Sequence, residues 1–167
     1  MDNNEKLRIL KDLISFRTVN GNEHLVTAYI HDLLAKHGIS STFIKYAEDR
    51  DNLIAEFDTG NPGPFLGFSG HADVVHEGAL STWTTPPFEP NVRDNRLYGR
   101  GAADMKGGLA GLTIAFISLV ESKSVHNGIL RLYFTMGEEV GELGSKLLAD
   151  KGYVDDLDAV VIGEPSG

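Results

Sequence analysis

Pro62-Gly63-Pro64-Phe65-Leu66-Gly67-Phe68-Ser69-Gly70-His71-Ala72-Asp73 is the stretch on which the fold turns. Its apolar run, residues 65–69, is fenced by Pro62-Gly63-Pro64 and Gly70, the signature of a short buried strand. Two helices precede it. Leu7, Leu10, Leu13 and Ile14 recur at helical spacing over residues 5–16, and Leu25, Tyr29, Leu33 and Leu34 do so up to Gly38, the expected stop. Residues 39–46 and 52–57 read as strands, and 91–98 as a hairpin turning at Asp94-Asn95. Further on, 105–120 is a long helix apolar enough to be mostly buried, and 129–136 alternates as a strand. The segment 144–151 is helical, and Ala159–Ile162 is a wholly apolar run that reads as a central strand. Helices alternating with buried strands give an α/β layered sheet with helices on both faces.

Composition narrows the chemistry. The chain has 167 residues, one domain or a piece of one, with 41% hydrophobic and 23% charged residues, which excludes disorder and coiled coil. It contains no cysteine, so disulfides, thiolate metal sites and a cysteine nucleophile are excluded, and any metal is held by histidine and carboxylate. Fifteen Lys+Arg against 24 Asp+Glu give a net charge of −9, which disfavours nucleic acid and anionic lipid. The start, Met1-Asp2-Asn3-Asn4-Glu5, is unlike a signal peptide, and no apolar stretch approaches the ~18 residues of a membrane span. A cytoplasmic location is the expectation.

In open α/β sheets ligands bind beyond the carboxyl ends of the strands, and three such ends carry polar residues. They are His71-Ala72-Asp73, Gly137-Glu138-Glu139 and Gly163-Glu164, with Asp104 opening the helix at 105–120 as a fourth candidate. Each has an ordinary reading by itself: a turn histidine, a helix cap at Asp104, solvent-facing glutamates. Together, one histidine and four carboxylates converging on one edge would repel each other unless divalent cations were present, and they suit zinc or manganese. Asp73, two residues from His71, can orient the imidazole, while the adjacent Glu138 and Glu139 point differently, so that one can ligate and the other act as a base. The remaining histidines, His24, His31, His37, His76 and His126, read as surface or packing residues. Competing motifs fail. Gly99-Arg100-Gly101-Ala102-Ala103-Asp104 lacks the third glycine of a dinucleotide fingerprint, and Ser69, Ser81 and Ser145 sit in no nucleophile elbow.

Five segments in order resemble a known family: Ser69-Gly70-His71-Ala72-Asp73-Val74-Val75, Trp83-x-x-Pro86-Pro87-Phe88, Leu97-Tyr98-Gly99-Arg100-Gly101-Ala102-Ala103-Asp104-Met105-Lys106-Gly107-Gly108, Gly137-Glu138-Glu139 and Gly163-Glu164-Pro165. They look like the co-catalytic zinc amidohydrolases that include desuccinylases, acetylornithine deacetylases, aminoacylases and glutamate carboxypeptidases. The resemblance implies a zinc-exopeptidase-like fold in which His71 and Glu164 bind one zinc, Glu139 the other, and Asp104 bridges them through a helix entrance whose Asp104–Met105 peptide is cis. Glu138 would be the general base and Asp73 would orient His71. Two Zn2+ per full-length chain are implied, with Co2+ or Mn2+ as substitutes.

By the same resemblance, residues 1–167 are the N-terminal part of the catalytic domain. The lid and dimerisation domain, and a C-terminal segment with the last histidine ligand and the substrate-carboxylate clamp, are expected outside this sequence. The implied activity of the parent is hydrolysis of the N-acyl amide of an amino acid. The wording from Glu138 to Gly144 leans toward N-succinyl-diaminopimelate, cleaved to succinate and diaminopimelate in lysine biosynthesis. N-acetylornithine, or a dipeptide in the carboxypeptidase branch, is the rival substrate, and a homodimer is expected through the missing domain. The chain alone is expected to be inactive, and a non-catalytic zinc-binding piece is the reading from another class.

Overall fold

The structure is a computed structural model that describes residues 1–166. Helix α1 (Asn3–Ser15) starts where the Asp2 side chain accepts the Glu5 N–H at 2.8 Å, and α2 (His24–Lys36) follows. Strands β1 (Ser41–Ala47) and β2 (Arg50–Asp58) form an antiparallel pair, and β3 (Phe65–His71) is the strand marked out by its proline and glycine fences. The hairpin β4 (Asn91–Arg93) and β5 (Arg96–Tyr98) turns through Asp94 and Asn95, whose φ values of 50° and 58° are those of a type I′ turn. Helix α3 (Lys106–Ser122), strand β6 (Ile129–Thr135), helix α4 (Leu143–Asp150) and strand β7 (Ala159–Ile162) complete the described chain.

The main sheet has five strands in the order β1-β2-β6-β3-β7. β3 runs parallel to both β6 and β7, whereas β2 is antiparallel to β6. The alternation of β6 divides its side chains between two layers: Leu130, Leu132 and Phe134 face α1, α2 and α3, while Tyr133 faces α4. Ile9, Leu13, Ile30, Leu34, Phe116 and Ile117 fill the larger layer. Ile44, Ile54, Tyr133 and Leu148 form the smaller one. This is the expected α/β sheet with helices on both faces. Among the described residues no helix is long and apolar enough to cross a membrane.

One expectation is corrected. β7 is an edge strand among the described residues, and all four of its residues are exposed, with Ile162 at 59%. An apolar run reads the same whether or not another element covers it, so the sequence pattern did not distinguish a central strand from an edge one.

The register aligns the three parallel strands at their carboxyl ends, pairing His71 with Thr135 and Ser69 with Ile162. The residues that follow β3, β6 and β7 therefore emerge at one edge, where the first turn of α3 also arrives. Gly108 makes that arrival close: a Cβ there would collide with the carbonyl oxygen of Gly163. A residue with a side chain would push the β7 end and α3 apart.

Candidate metal centre

His71 is 2% exposed and lies at the centre of the cluster. Its Nε2 is 3.0 Å from Asp104 Oδ1, 3.3 Å from Glu164 Oε1 and 3.9 Å from Glu138 Oε2. Its Nδ1 is 2.9 Å from the backbone carbonyl of Asp73 and 3.5 Å from that residue's carboxylate. The Asp73 carboxylate is itself tied across the sheet edge, accepting the Glu138 N–H at 3.0 Å and the Glu139 N–H at 3.1 Å. One fully buried aspartate therefore holds the imidazole on one side and the Gly137-Glu138-Glu139 turn on the other.

The chain around His71 is braced on its far side as well. Thr18 Oγ1 donates to the Ala72 carbonyl at 2.7 Å, and the Val74 N–H donates to the Thr18 carbonyl at 3.0 Å. Lys106, fully buried at the start of α3, donates from Nζ to the Phe16 carbonyl at 2.6 Å. Burial pushes its ammonium down to about 7, opposed by the charge of Asp73. Asp104 does not cap α3: the N-cap position is Met105, with no side-chain cap bond, and the Asp104 carboxylate turns to His71 instead. The Asp104–Met105 peptide is cis, the isomer implied by the family resemblance.

Potential ligand atoms fall into two groups, His71 with Glu138 and Glu139, and His71 with Asp104 and Glu164, each within 4.8 Å. His71 belongs to both. Asp104 is grouped with Glu164 rather than with Glu139, and Glu138 falls beside Glu139. A cleft of about 310 Å³, lined by His71, Thr135, Glu138, Ser145, Ile162 and Glu164 among others, opens at the cluster.

The residues fit divalent cations. The donors are one imidazole and four carboxylates, the nitrogen and oxygen set that zinc and manganese take. Glu139 Oε1 is buried with no hydrogen-bond partner among the described residues, an unmet acceptor in an acidic crowd. Burial pushes the Glu139 carboxyl up, and the charge of Asp104 adds to the rise. Burial likewise raises Glu164, with Asp104 and Glu138 adding and His71 opposing. Burial alone would lower His71, but the close Asp73 carboxylate, the charge of Glu164 and the bond to Asp104 outweigh it and hold the imidazole up at about 9. The acidic groups around His71 favour its charged form, and a metal ion held there would offset their mutual repulsion more fully.

Sequence reasoning missed the polar residues that brace this edge: Thr18, Glu23, Arg50, Asn52 and Lys106. Glu23, Asn52 and Lys106 are 0% exposed. A signal was present in Arg50-Asp51-Asn52, three polar residues ahead of the apolar run Leu53-Ile54-Ala55, and in a lysine at the head of an apolar helix.

The model for peptidase family M20/M25/M40 matches residues 67–167, a span that includes every ligand candidate. The chain belongs to the M20/M25/M40 peptidase family. Among its M20/M25/M40 relatives, a probable succinyl-diaminopimelate desuccinylase of Staphylococcus aureus (strain MRSA252) is 47% identical over 163 residues. That match covers 98% of this chain and 40% of the relative. The crystal structure of the M20 family metallo-carboxypeptidase Sso-CP2 from Sulfolobus solfataricus superimposes with a TM-score of 0.84 at 25% identity, covering 100% of this chain and 38% of that one. A Bacillus subtilis protein, YXEP, described as a dinuclear metal-binding peptidase from the M20 family, shares the fold at a TM-score of 0.73 and 18% identity, over 95% of this chain and 42% of its own. The chain thus spans about 40% of the length of these M20/M25/M40 relatives.

Proposed function

We propose that this chain is the N-terminal part of the catalytic domain of a two-metal amide hydrolase, and that it carries most of the metal centre. The observation behind the reading is that His71, Asp104, Glu138, Glu139 and Glu164, from four separate segments, converge around one imidazole at the sheet edge. By the family resemblance, His71 and Glu164 would hold one ion and Glu139 the other, with Asp104 available as a further ligand beside His71. The lid, the dimer contacts and the remaining ligand belong to the rest of the longer protein, which the 40% coverage of the relative supports.

Divalent ions held there would supply Lewis acidity, drawing electron density from the scissile carbonyl and making a water molecule acidic enough to lose its proton near neutral pH. The residues supply the rest. Glu138, whose carboxylate lies 3.9 Å from His71 Nε2 and borders the cleft, accepts the proton of the attacking water and returns it to the departing amine nitrogen. Asp73 keeps Nδ1 facing its own carbonyl and carboxylate, which leaves Nε2 to face the ligand group. Because Asp73 also holds the Glu138 and Glu139 amides, it sets the distance from base to imidazole.

The substrate we propose is an N-acyl amino acid, N-succinyl-diaminopimelate first, supported by the 47% identity to the S. aureus relative of that name. A carboxypeptidase activity is the second reading, favoured by the likeness to Sso-CP2. Assay of the longer protein with N-succinyl-diaminopimelate, N-acetylornithine and dipeptides, each with zinc, cobalt or manganese, separates them. The desuccinylase reading requires the succinylated substrate to have the highest kcat/KM. A dipeptide preference overturns it, and hydrolysis unaffected by chelation overturns the metal mechanism as well.

A further inference from the structure

Four consecutive backbone N–H groups, at residues 136–139, each donate to a side chain from a distant part of the chain. Met136 donates to Asn52 Oδ1 at 2.9 Å, Gly137 to Glu23 Oε1 at 3.1 Å, and Glu138 and Glu139 to Asp73. Asn52 also donates from Nδ2 to the Gly144 carbonyl at 3.0 Å, closing the far side of the turn. Glu23 is fully buried, and its Oε1 accepts from Arg50 Nη2 at 2.6 Å as well as from Gly137. Arg50 Nε completes the fork at 3.0 Å to Glu23 Oε2. The guanidinium also backs Gly137, whose φ is +64° and whose missing Cβ would stand 2.9 Å from Arg50 Nη2.

We propose that the buried Glu23–Arg50 pair is a positioning device for the catalytic turn: it fixes the Gly137 peptide from behind while Asp73 fixes the two that follow, so that the side chains of Glu138 and Glu139 diverge into different roles. The inference rests on the reading of Glu139 as a metal ligand. Adjacent residues on an unconstrained turn sample many relative orientations, and a bound ion tolerates little error in its ligands. A plain turn would require none of these acceptors. Here a carboxylate that would otherwise be costly to bury has been placed at the amide preceding the two glutamates, with a cation placed to neutralise it.

Two double variants of the longer protein of which this chain is a part test the acceptor separately from the charges. Glu23→Gln/Arg50→Met removes both charges and keeps a side-chain oxygen for the Gly137 N–H. Glu23→Leu/Arg50→Met removes the oxygen too, in a substitution class that buried pairs often tolerate. Three quantities are read on each: the thermal midpoint, the amide hydrogen exchange of Gly137, Glu138 and Glu139 without metal, and zinc affinity. In the zinc titration the component of interest is the one that Glu139→Gln weakens.

The Gln/Met variant should match the wild type in exchange and zinc affinity. The Leu/Met variant, which leaves the buried Gly137 N–H without its acceptor, should have a lower midpoint than the Gln/Met variant, exchange these amides at least about 10-fold faster than it under conditions where both are folded, and lose roughly 10–100-fold in that zinc component, the usual cost of an outer partner. Exchange and zinc binding that stay at the wild-type level in both variants overturn the proposal, because neither the pair nor its acceptor would then hold the turn. A loss that follows the midpoint in both variants also overturns it, since the pair would then serve stability alone. If the wild type shows no zinc component sensitive to Glu139→Gln, the two-metal reading falls, and the exchange comparison by itself decides whether the pair holds the turn.

Discussion

The two acidic arms of the cluster are built in opposite ways. The β6 arm, Gly137-Glu138-Glu139, is held by side chains from three other segments through buried hydrogen bonds, on a strand whose Leu132 and Phe134 are at 1% and 0% exposure. The β7 arm, Glu164, follows a strand exposed along its length and is placed by backbone: the Gly163 N–H donates to the Ser69 carbonyl at 3.0 Å, and Gly108 lets α3 close against Gly163. One arm is a specified polar network. The other depends on the absence of a side chain at one position. Damage to the first should therefore register as lost stability together with lost ligand geometry, and damage to the second mainly as lost geometry.

The largest effect is expected where the arms meet. His71 is shared by both ligand groups and is assigned to the ion beside Glu164, so His71→Ala should reduce that zinc component by at least ~100-fold, read by calorimetric titration, and leave the Glu139 component weaker but present. An unchanged Glu164 component would show that this arm binds metal without the imidazole. Next is the β6 arm. Asn52→Leu strands the Met136 N–H and the Gly144 carbonyl, each buried group costing about 1–3 kcal/mol, so unfolding in urea should show a loss of about 2–5 kcal/mol. For the β7 arm, Gly108→Ala should cost about 1–3 kcal/mol through overpacking, while weakening zinc binding more than that stability loss alone would suggest. If Gly108→Ala leaves zinc affinity intact, the close approach is not what places Glu164. The smallest effect belongs to the exposed face of the same arm. Ile162→Lys, at a residue 59% exposed, should change the stability of this chain by no more than about 0.5 kcal/mol. A larger loss would mean that β7 is buried in solution by something beyond the described residues.

The contrast between the arms also explains what could be read in advance. Strands β3, β6 and β7 were legible because short apolar runs between glycine and proline have few other readings, and the polar residues behind them, from His71 to Glu164, follow by counting. What pattern did not show was contact across long separations: Glu23 meets Gly137 at a separation of 114 residues and Arg50 at 27. No local rule connects a glutamate ahead of a helix with a turn on the far side of the sheet. Asp104 shows the local rule losing outright. Its position favours a helix cap, but a buried imidazole 3.0 Å away supplies a stronger partner, and the cap is left unmade. The exposed position of β7 was unreadable for the converse reason, because hydrophobicity records that a strand is to be covered and not whether the covering element is in the same stretch of chain.

The most direct measurement is anomalous diffraction at the zinc edge from crystals of this chain grown with zinc. A peak is expected between His71 Nε2, Asp104 and Glu164, with ligand distances near 2 Å. A second, weaker peak should lie beside Glu139. Zinc found only at His24, His37 or other surface histidines, with the edge between β3 and β7 empty of metal, would show that His71, Asp104 and Glu164 do not form a metal centre.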